Sequence, residues 1–212
     1  MIQKFDGQKN TQNLEKRLSN LRIEMKFNGL DGYLVPRADF FQGEYVAAPD
    51  ERLAFITGFS GSAGFCCVLK KRAAIFVDGR YTLQVKSQVD NKLFNYESLE
   101  NGGLTGWLEA NTKAEHTIGY DPKLHTPNAL EKLKKSSKAK LLAIKNNPLD
   151  NSWTNRPNTP SSKIKIHPVE FSGEPHHHKC TRIAKLISKK NADIALITSP
   201  ASIAWLLNIR GS

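Results

Sequence analysis

Residues 66–81, CCVLKKRAAIFVDGRY, indicate the fold of this chain more directly than any other stretch. Two short apolar runs, residues 66–69 and Ala73–Val77, flank three consecutive cationic residues, a pattern typical of a β-hairpin. Side chains alternate between the two faces of a strand, so adjacent Cys66 and Cys67 are predicted to lie on opposite faces. The stretch therefore predicts two buried neighbouring strands.

The residues after this hairpin predict a helix over 80–89. Asp78 could cap the start of that helix, and Arg80 could pair with Asp78 or with another carboxylate. Open sheets place their sites at the carboxyl ends of strands, so Arg80 and Tyr81 are also candidates for contact with a substrate or partner. Both interpretations, a structural cap and a contact surface, remain open at this point.

Outward from the hairpin, helices and strands alternate along the chain. A helix is predicted from Thr11, a possible N-cap, because one apolar stripe recurs at helical spacing (Leu14, Leu18, Leu21, Met25). Thr126 and Pro127 are typical of the N-cap and first position of another helix. Further strands are predicted at 33–35, 93–96, Thr117–Tyr120 and 140–144, with a short helix at 103–110. This order predicts an α/β fold, a mixed sheet flanked by helices.

The composition changes after residue 146, where Pro, Asn, Ser and Thr replace most apolar residues. We predict a first domain over 1–146, a linker over 147–168 and the start of a second, similar domain over 169–212. That second part is predicted to hold a buried strand, 192–198, between helices at 178–190 and 201–207. One strand cannot form a sheet by itself, so we expect a longer domain that is truncated after Ser212 rather than a segment docked on the first domain.

Charge and composition limit the classes of function. The 212 residues carry 31 Lys and Arg against 20 Asp and Glu, a net charge of +11. Most cations are scattered, and no nucleic-acid-binding motif accompanies them, so we expect no nucleic acid as partner. No apolar run is long enough to cross a membrane, and the N-terminus lacks the apolar core of a signal peptide. Three Cys residues imply no disulfide framework, so we expect a reducing, cytoplasmic environment.

Two segments look like catalytic or metal sites and are interpreted as structural. Residues 58–64, GFSGSAG, precede a strand rather than opening a helix, so they lack the context of a phosphate-binding loop or a nucleophile elbow. Glycines at this spacing are typical of a tight turn with close backbone approach. His176, His177 and His178 are adjacent, and adjacent side chains on a helix do not share a face, so no metal site is predicted there.

A polar and aromatic stretch lies between Phe41 and Phe55. It contains Glu44, Tyr45 and Arg52, which could form a binding loop or merely local ion pairs. We retain Tyr45 and Arg52 as candidate contact residues.

Several strings in this order resemble the N-terminal region of the long, three-domain Xaa-Pro aminopeptidases. The first domain of that family is similar to EYVA at 44–47, RLAFITGFSGSAG at 52–64 and VDGRY at 77–81. The family's interdomain linker resembles NPLDNSWTNRP at 147–157, and its second domain resembles IAWLLNIRGS at 203–212.

The resemblance implies two creatinase-like domains, each a mixed sheet with helices. In the family these precede a third, catalytic pita-bread domain that binds two divalent metals, usually manganese, and cleaves the bond before a penultimate proline. We expect this chain to end before that domain, so no catalytic residue or metal ligand is assigned in it and it is expected to be inactive alone. The resemblance implies a homodimer, proline-containing peptides as substrates, and front domains that supply dimer contacts and shape the substrate entrance. We place Tyr45, Arg52, Arg80, Tyr81 and the loop at 58–64 on that surface.

Two other classes of function compete with this interpretation. A stand-alone module of the same fold would bind a peptide or partner without cleaving it. A basic nucleic-acid-binding protein would use the net charge of +11, and its binding would have to persist at moderate salt.

Overall fold

The computed structural model describes residues 11–100 and 102–211, which form two separate sheets. The first sheet has six strands in the order β4-β3-β2-β1-β5-β6. Their bounds are β1 Gly32–Pro36, β2 Phe65–Leu69, β3 Ala73–Val77, β4 Asn95–Ser98, β5 Thr117–Tyr120 and β6 Lys140–Ala143. The second sheet pairs β7, Lys165–Ile166, with β8, Ile209–Arg210.

Helices cover both faces of the first sheet. One face packs against α1 Thr11–Phe27, α2 Arg52–Thr57, α3 Thr82–Gln88 and α6 Pro148–Ser152. The opposite face packs against α4 Gly103–Asn111 and α5 Pro127–Ser136. The remaining helices are α7 Val169–Ser172, α8 His176–Lys189 and α9 Pro200–Leu207, which belong with the second sheet in a second unit, residues 165–211. The predicted fold class, a mixed sheet flanked by helices, is confirmed.

The local predictions around the sheet are also confirmed. β2 and β3 form an antiparallel hairpin in which Cys66 lies opposite Ile75. Cys66 packs in the core on one face of the sheet and Cys67 in the core on the other, as strand alternation requires. The apolar stripe of α1 is buried, and Thr126 Oγ1 accepts a hydrogen bond from Ala129 N at the start of α5. The predicted cap at Thr11 falls on a side chain outside the described ones.

The strand directions bring the carboxyl ends of five strands to one side of the first sheet. β1, β5 and β6 are mutually parallel, β3 and β4 are parallel, and β2 runs antiparallel to both of its neighbours. The C-terminal ends of β1, β3, β4, β5 and β6 therefore meet on the side where β2 begins. We call this side the carboxyl edge; it is defined by Pro36, Val77, Ser98, Tyr120 and Ala143, with Phe65 at the start of β2.

The segment predicted as a linker begins with a helix packed on the first sheet. Asn147 Oδ1 accepts a hydrogen bond from Leu149 N, capping α6. Leu149 is fully buried, and Trp153 stacks on Phe55 with ring centroids 4.2 Å apart. Residues 157–164 that follow are exposed and have no regular secondary structure.

The predicted buried strand at 192–198 is wrong. These residues form no strand and are exposed, with Ile194 at 85% and Leu196 at 89% of their full accessibility. The apolar pattern identified a segment suited to a sheet, but a strand needs a hydrogen-bonding partner, and β7 pairs instead with β8. Within residues 11–100 and 102–211, no helix is both long and apolar enough to cross a membrane.

Candidate functional site at the carboxyl edge of the first sheet

The glycine-rich segment at 58–64 is a compact turn that leads from α2 to β2. Gly58 ends α2 in the left-handed region, with φ of +79°, and its N–H donates to Ala54 O. A β-carbon on Gly61 would clash with Phe59 Cζ, and one on Gly64 would lie 2.8 Å from Leu53 Cδ2. The predicted role of these glycines, close approach in a tight turn, is confirmed.

The Asp78–Tyr81 stretch lies directly after β3, beside this turn. Asp78 Oδ1 accepts a hydrogen bond from Arg80 N at 3.0 Å, and Arg80 Nη2 lies 2.7 Å from Asp78 Oδ2. The hydrogen bond from Arg80 lowers the pKa of the Asp78 carboxyl. Tyr81 Oη hydrogen-bonds Ser62 Oγ at 2.6 Å, which ties the two loops together. The predicted cap and ion pair are confirmed, and Arg80 remains exposed.

A third loop at this edge, residues 39–45, presents aromatic side chains to solvent; we call it the aromatic loop. Asp39 Oδ1 accepts hydrogen bonds from Phe41 N and Gly43 N, both at 2.9 Å. Arg37 Nη1 donates to Glu44 O at 3.2 Å and to Ser62 O at 3.1 Å. These bonds hold the backbone of the loop, while Tyr45 extends from it with 89% of its surface exposed.

Arg52, the remaining candidate contact residue, is instead buried, with 1% exposure. It donates to Asp150 Oδ1 and Oδ2 at 2.7 and 2.9 Å and to Asp50 Oδ1 at 2.9 Å. Arg156 closes the network by contacting Asp150 Oδ2 at 2.7 Å and Pro49 O at 2.7 Å. Burial lowers the pKa of Arg52, but its hydrogen bonds with Asp150 and Asp50 outweigh burial and raise it. The structure thus brings Tyr45, Arg80 and Tyr81 to one edge and places Arg52 inside.

Sequence reasoning missed Arg37, which organises the edge. Its Nη2 lies 3.1 Å from Glu51 Oε1, and its side chain is 9% exposed. Burial raises the pKa of Glu51, and Arg37 partly offsets that shift. Its position could have indicated this role, because Arg37 directly follows Pro36, the last residue of β1, at the carboxyl edge.

His125 is largely buried at the same edge. Its ring packs near Tyr120 and Phe65, with centroids 5.7 and 5.9 Å away. Its Nε2 is buried and has no hydrogen-bond partner among the described residues. Burial lowers the pKa of His125 to about 4, against a smaller raising effect of Asp121. The imidazole is therefore neutral near pH 7.

Neither this edge nor the rest of the described residues offers a group of three or more His, Cys, Asp or Glu placed to hold a metal ion. At the start of α8 the ring of His177 lies 5.7 Å from that of His176 and 4.4 Å from that of His178, centroid to centroid. We therefore derive no chemistry through a metal from the residues of this chain.

Comparison with known families assigns this architecture. A family model described as the creatinase/prolidase N-terminal domain matches residues 17–147, and a second model with the same description matches residues 155–212. The chain belongs to the creatinase/prolidase N-terminal domain family. The carboxyl edge lies in the part of the chain that matches the first model, and the second unit lies in the part that matches the second.

Relatives of this creatinase/prolidase chain are named as aminopeptidases. It is 37% identical over 218 residues to the "Probable Xaa-Pro aminopeptidase P" of Talaromyces stipitatus, covering 99% of the chain and 33% of that protein. It is 36% identical over 220 residues to the protein of the same name from Aspergillus fumigatus, covering 100% of the chain and 33% of that protein. The chain thus spans about one third of the length of these curated relatives.

Solved structures show the same family fold. The X-prolyl aminopeptidase from Caenorhabditis elegans, described as a cytosolic enzyme with a di-nuclear active site, matches with a TM-score of 0.81 and 28% identity. The match covers 93% of this chain and 35% of that one. The N-terminal domain of the cytoplasmic peptidase PepQ from Mycobacterium tuberculosis matches with a TM-score of 0.51 and 21% identity over 65% of this chain and 98% of that one, which shows the fold alone.

Proposed function

We propose that this chain is the N-terminal, non-catalytic portion of a metal-dependent Xaa-Pro aminopeptidase, an enzyme that removes an N-terminal residue preceding proline. The observation that carries the proposal is the similarity over 99% of the chain, at 37% identity, to a protein named Xaa-Pro aminopeptidase P. A TM-score of 0.81 to an X-prolyl aminopeptidase supports it. Fold alone would not, because one fold serves many functions.

The carboxyl edge is our proposed contact surface, where the chain shapes the substrate entrance or meets a second subunit of a homodimer. Tyr45 and Arg80 are exposed there, and Tyr81 joins the loop of Arg80 to the glycine-rich turn. Arg52 is buried between two aspartates, so its proposed role is to stabilise the fold next to this edge and not to contact a substrate.

The complete enzyme is proposed to bind two divalent metal ions, manganese by family resemblance, in the part of its relatives that this chain does not match. We propose a cytoplasmic location, in line with the description of the C. elegans enzyme as cytosolic. The division into a first domain at 1–146, a linker at 147–168 and a second domain from 169 stays a proposal.

The experiment compares this chain with a polypeptide extended to the length of its relatives. Each is purified, supplied with Mn²⁺ and given a tripeptide with proline at the second position, and release of the N-terminal residue is measured. We expect cleavage by the extended protein and none by the chain alone. An inactive extended protein that still binds the peptide would favour a stand-alone binding module instead.

Arg80→Ala in the extended protein tests the role of the edge. The exposed ion pair contributes little to stability, so the variant should fold. We expect a changed dimer dissociation constant or a higher KM. If dimerisation, kcat and KM all match the wild type, Arg80 has no part in that surface.

A further inference from the structure

The side of the first sheet opposite the carboxyl edge is rich in cationic side chains, and we call it the amino edge. It is defined by the loops that enter β1, β5 and β6 and by the turn of the β2–β3 hairpin: 28–31, 112–116, 137–140 and 70–72. These four segments hold six Lys or Arg against one Asp and one Glu. The loop that enters β4 adds no net charge, because Asp90 and Lys92 balance each other there.

Hydrogen bonds hold these segments side by side in one row. Lys70 N donates to Asp31 O at 3.2 Å, and Asp31 Oδ2 accepts from Thr117 N at 2.8 Å, so the hairpin turn is joined to the starts of β1 and β5. Lys140 N donates to His116 O at 2.9 Å, which adds the start of β6. Neighbouring strands lie about 4.8 Å apart, so the row from β2 to β6 is about 15 Å wide.

Only half of the six cations in this row are neutralised. Three of them pair with carboxylates: Lys70 with Asp31, Lys113 with Glu115 and Lys138 with Glu109. The side chains of Lys71, Arg72 and Lys140 are exposed and have no carboxylate partner among the described residues. Arg72 Nη1 donates instead to the neutral side chain of Asn111, at 2.9 Å from its Oδ1. The row therefore presents uncompensated positive charge to solvent.

The end of α1 adds further positive charge beside the hairpin turn. Arg22 Nε donates at 3.1 Å to the carbonyl of Leu69, the last residue of β2. Lys26 is one helical turn further on, shares that side of α1 and is exposed. The nearest carboxylate on this helix, that of Glu24, accepts a hydrogen bond from Asn151 of α6 at 3.1 Å. Neither Arg22 nor Lys26 has an ion-pair partner among the described residues.

A row of this width fits an extended anionic surface better than a compact anion. Cations spread over about 15 Å cannot all contact a single phosphate group, whereas a bilayer offers many phosphates in one plane. The four segments contain no Phe, Tyr or Trp, so a nucleobase would find no such ring to stack on. Clusters of four to eight Lys or Arg are attracted to the anionic lipids of a cytoplasmic leaflet. On the far face of the sheet the last turn of α5 adds Lys134, and Lys135 there pairs with Glu131 at 2.7 Å.

We propose that the amino edge is a docking surface for bilayers that contain anionic phospholipids. The contact is peripheral and electrostatic: ammonium and guanidinium groups meet the lipid headgroups while the chain stays outside the hydrocarbon layer. Arg22, Lys26, Lys71, Arg72 and Lys140 carry it, because their charges are not engaged by carboxylates of the described residues. The proposal assigns binding to this local row of cations and not to the net charge of +11 that the whole chain carries. It uses no part of the proposed aminopeptidase function.

The test is sedimentation of the complete 212-residue chain with lipid vesicles. Phosphatidylcholine vesicles are compared with vesicles in which about one third of the lipid is phosphatidylserine. We expect the chain to sediment with the second kind only. The bound fraction should fall steeply as NaCl rises from about 50 to 200 mM, because salt screens exposed charges.

Two double variants separate the amino edge from the charge of the whole chain. Lys71→Gln with Arg72→Gln removes two exposed cations from the edge, and Lys189→Gln with Lys190→Gln removes two exposed cations from the end of α8 in the second unit. Both lower the net charge by the same amount. Each cation near an anionic membrane strengthens binding about fivefold, so the first variant should bind about tenfold more weakly or worse, and the second should change binding by about twofold or less. Unfolding midpoints in urea should stay unchanged in both, because the substituted side chains are exposed.

Equal binding to the two kinds of vesicle would overturn the proposal, and so would equal losses from the two double variants, which would assign binding to net charge alone. Release from vesicles by inorganic phosphate, but not by chloride at the same ionic strength, would assign the edge to free phosphate instead. A duplex oligonucleotide that binds in the absence of any vesicle binding would assign it to nucleic acid. None of these outcomes depends on peptide cleavage, so the proposed function stands or falls separately.

Discussion

Replacing Arg52 with methionine should destabilise the first unit strongly, since the side chain is 1% exposed and bridges two aspartates. The change removes three hydrogen bonds between charged groups, two to Asp150 and one to Asp50. Such bonds contribute about 1.5–3 kcal/mol each, which sets an upper bound of several kcal/mol. Both carboxylates are about one quarter exposed and keep their contacts with Arg156, so water and Arg156 recover part of that loss. We expect Arg52→Met to cost roughly 3 kcal/mol.

Urea unfolding followed by tryptophan fluorescence measures this loss, because Trp153 stacks on Phe55 beside the network. With a slope of about 2 kcal/mol per M, the midpoint of unfolding should fall by about 1.5 M. Arg80→Met is the matched control: its ion pair with Asp78 has the same 2.7 Å separation as that of Arg52 with Asp150, but its side chain is 68% exposed. The control should lose less than about 1 kcal/mol. Equal losses from the two variants would refute the reasoning that burial gives the Arg52 network its strength.

Three further predictions follow from single side chains. Burial lowers the pKa of His125 from 6.5 to about 4, so the unfolded state takes up a proton at higher pH than the folded state. The free energy of unfolding should therefore fall by about 3 kcal/mol between pH 6.5 and pH 4. His125→Gln should remove that part of the pH dependence, measured by urea unfolding. Gly61→Ala should cost about 1–3 kcal/mol by the same assay, because the new methyl group would clash with Phe59, whereas Gly106→Ala, with nothing within 4 Å, should be neutral or stabilising. Lys179→Met should cost about 1–3 kcal/mol in thermal unfolding of the second unit, because a carbonyl of α9 and the asparagine side chain that follows this helix lose their donor.

The local elements of the first unit could be predicted because each depends on its own residues. The stripe from Leu14 to Met25 repeats at helical spacing, and it is buried along α1. Asp78 and Arg80 are two residues apart, so their pairing after β3 was accessible from sequence. β4 was predicted at 93–96 and lies at Asn95–Ser98, a shift within the usual uncertainty of element ends.

The buried network could not be predicted, because its partners are far apart in sequence. Arg52 and Asp150 are separated by 98 residues, and they meet because α2 and α6 both pack against α1 in the folded chain. Composition alone did not indicate α6 at the start of 147–168, because Pro and Asn are typical of linkers. Asn147 followed by Pro148 is equally a helix start, and that local signal would have indicated α6.

The candidate site divides in the same way. Arg80 and Tyr81 were candidates because a predicted strand ends just before them, and Tyr45 because it lies in a polar and aromatic stretch. Arg52 lies in the same stretch and is buried. The sequence around Arg52 does not show whether its side chain faces solvent or the interior. Its side chain faces the interior because its partner Asp150 lies in α6, and the position of α6 was not predicted.

Stability and binding at this edge can be separated by the choice of residue. Glu51 and Arg52 are adjacent at the start of α2, and Glu51 pairs with Arg37, which in turn holds the Glu44 carbonyl of the aromatic loop. A change at Arg52 therefore reaches the loop through the backbone, and loss of peptide binding in Arg52→Met would not show that Arg52 touches a peptide. The side chains of Tyr45 and Arg80 are exposed, so their substitution leaves those supports in place. A loss of peptide binding in both variants of the complete enzyme, at unchanged unfolding midpoint, would therefore assign the contact to the carboxyl edge itself.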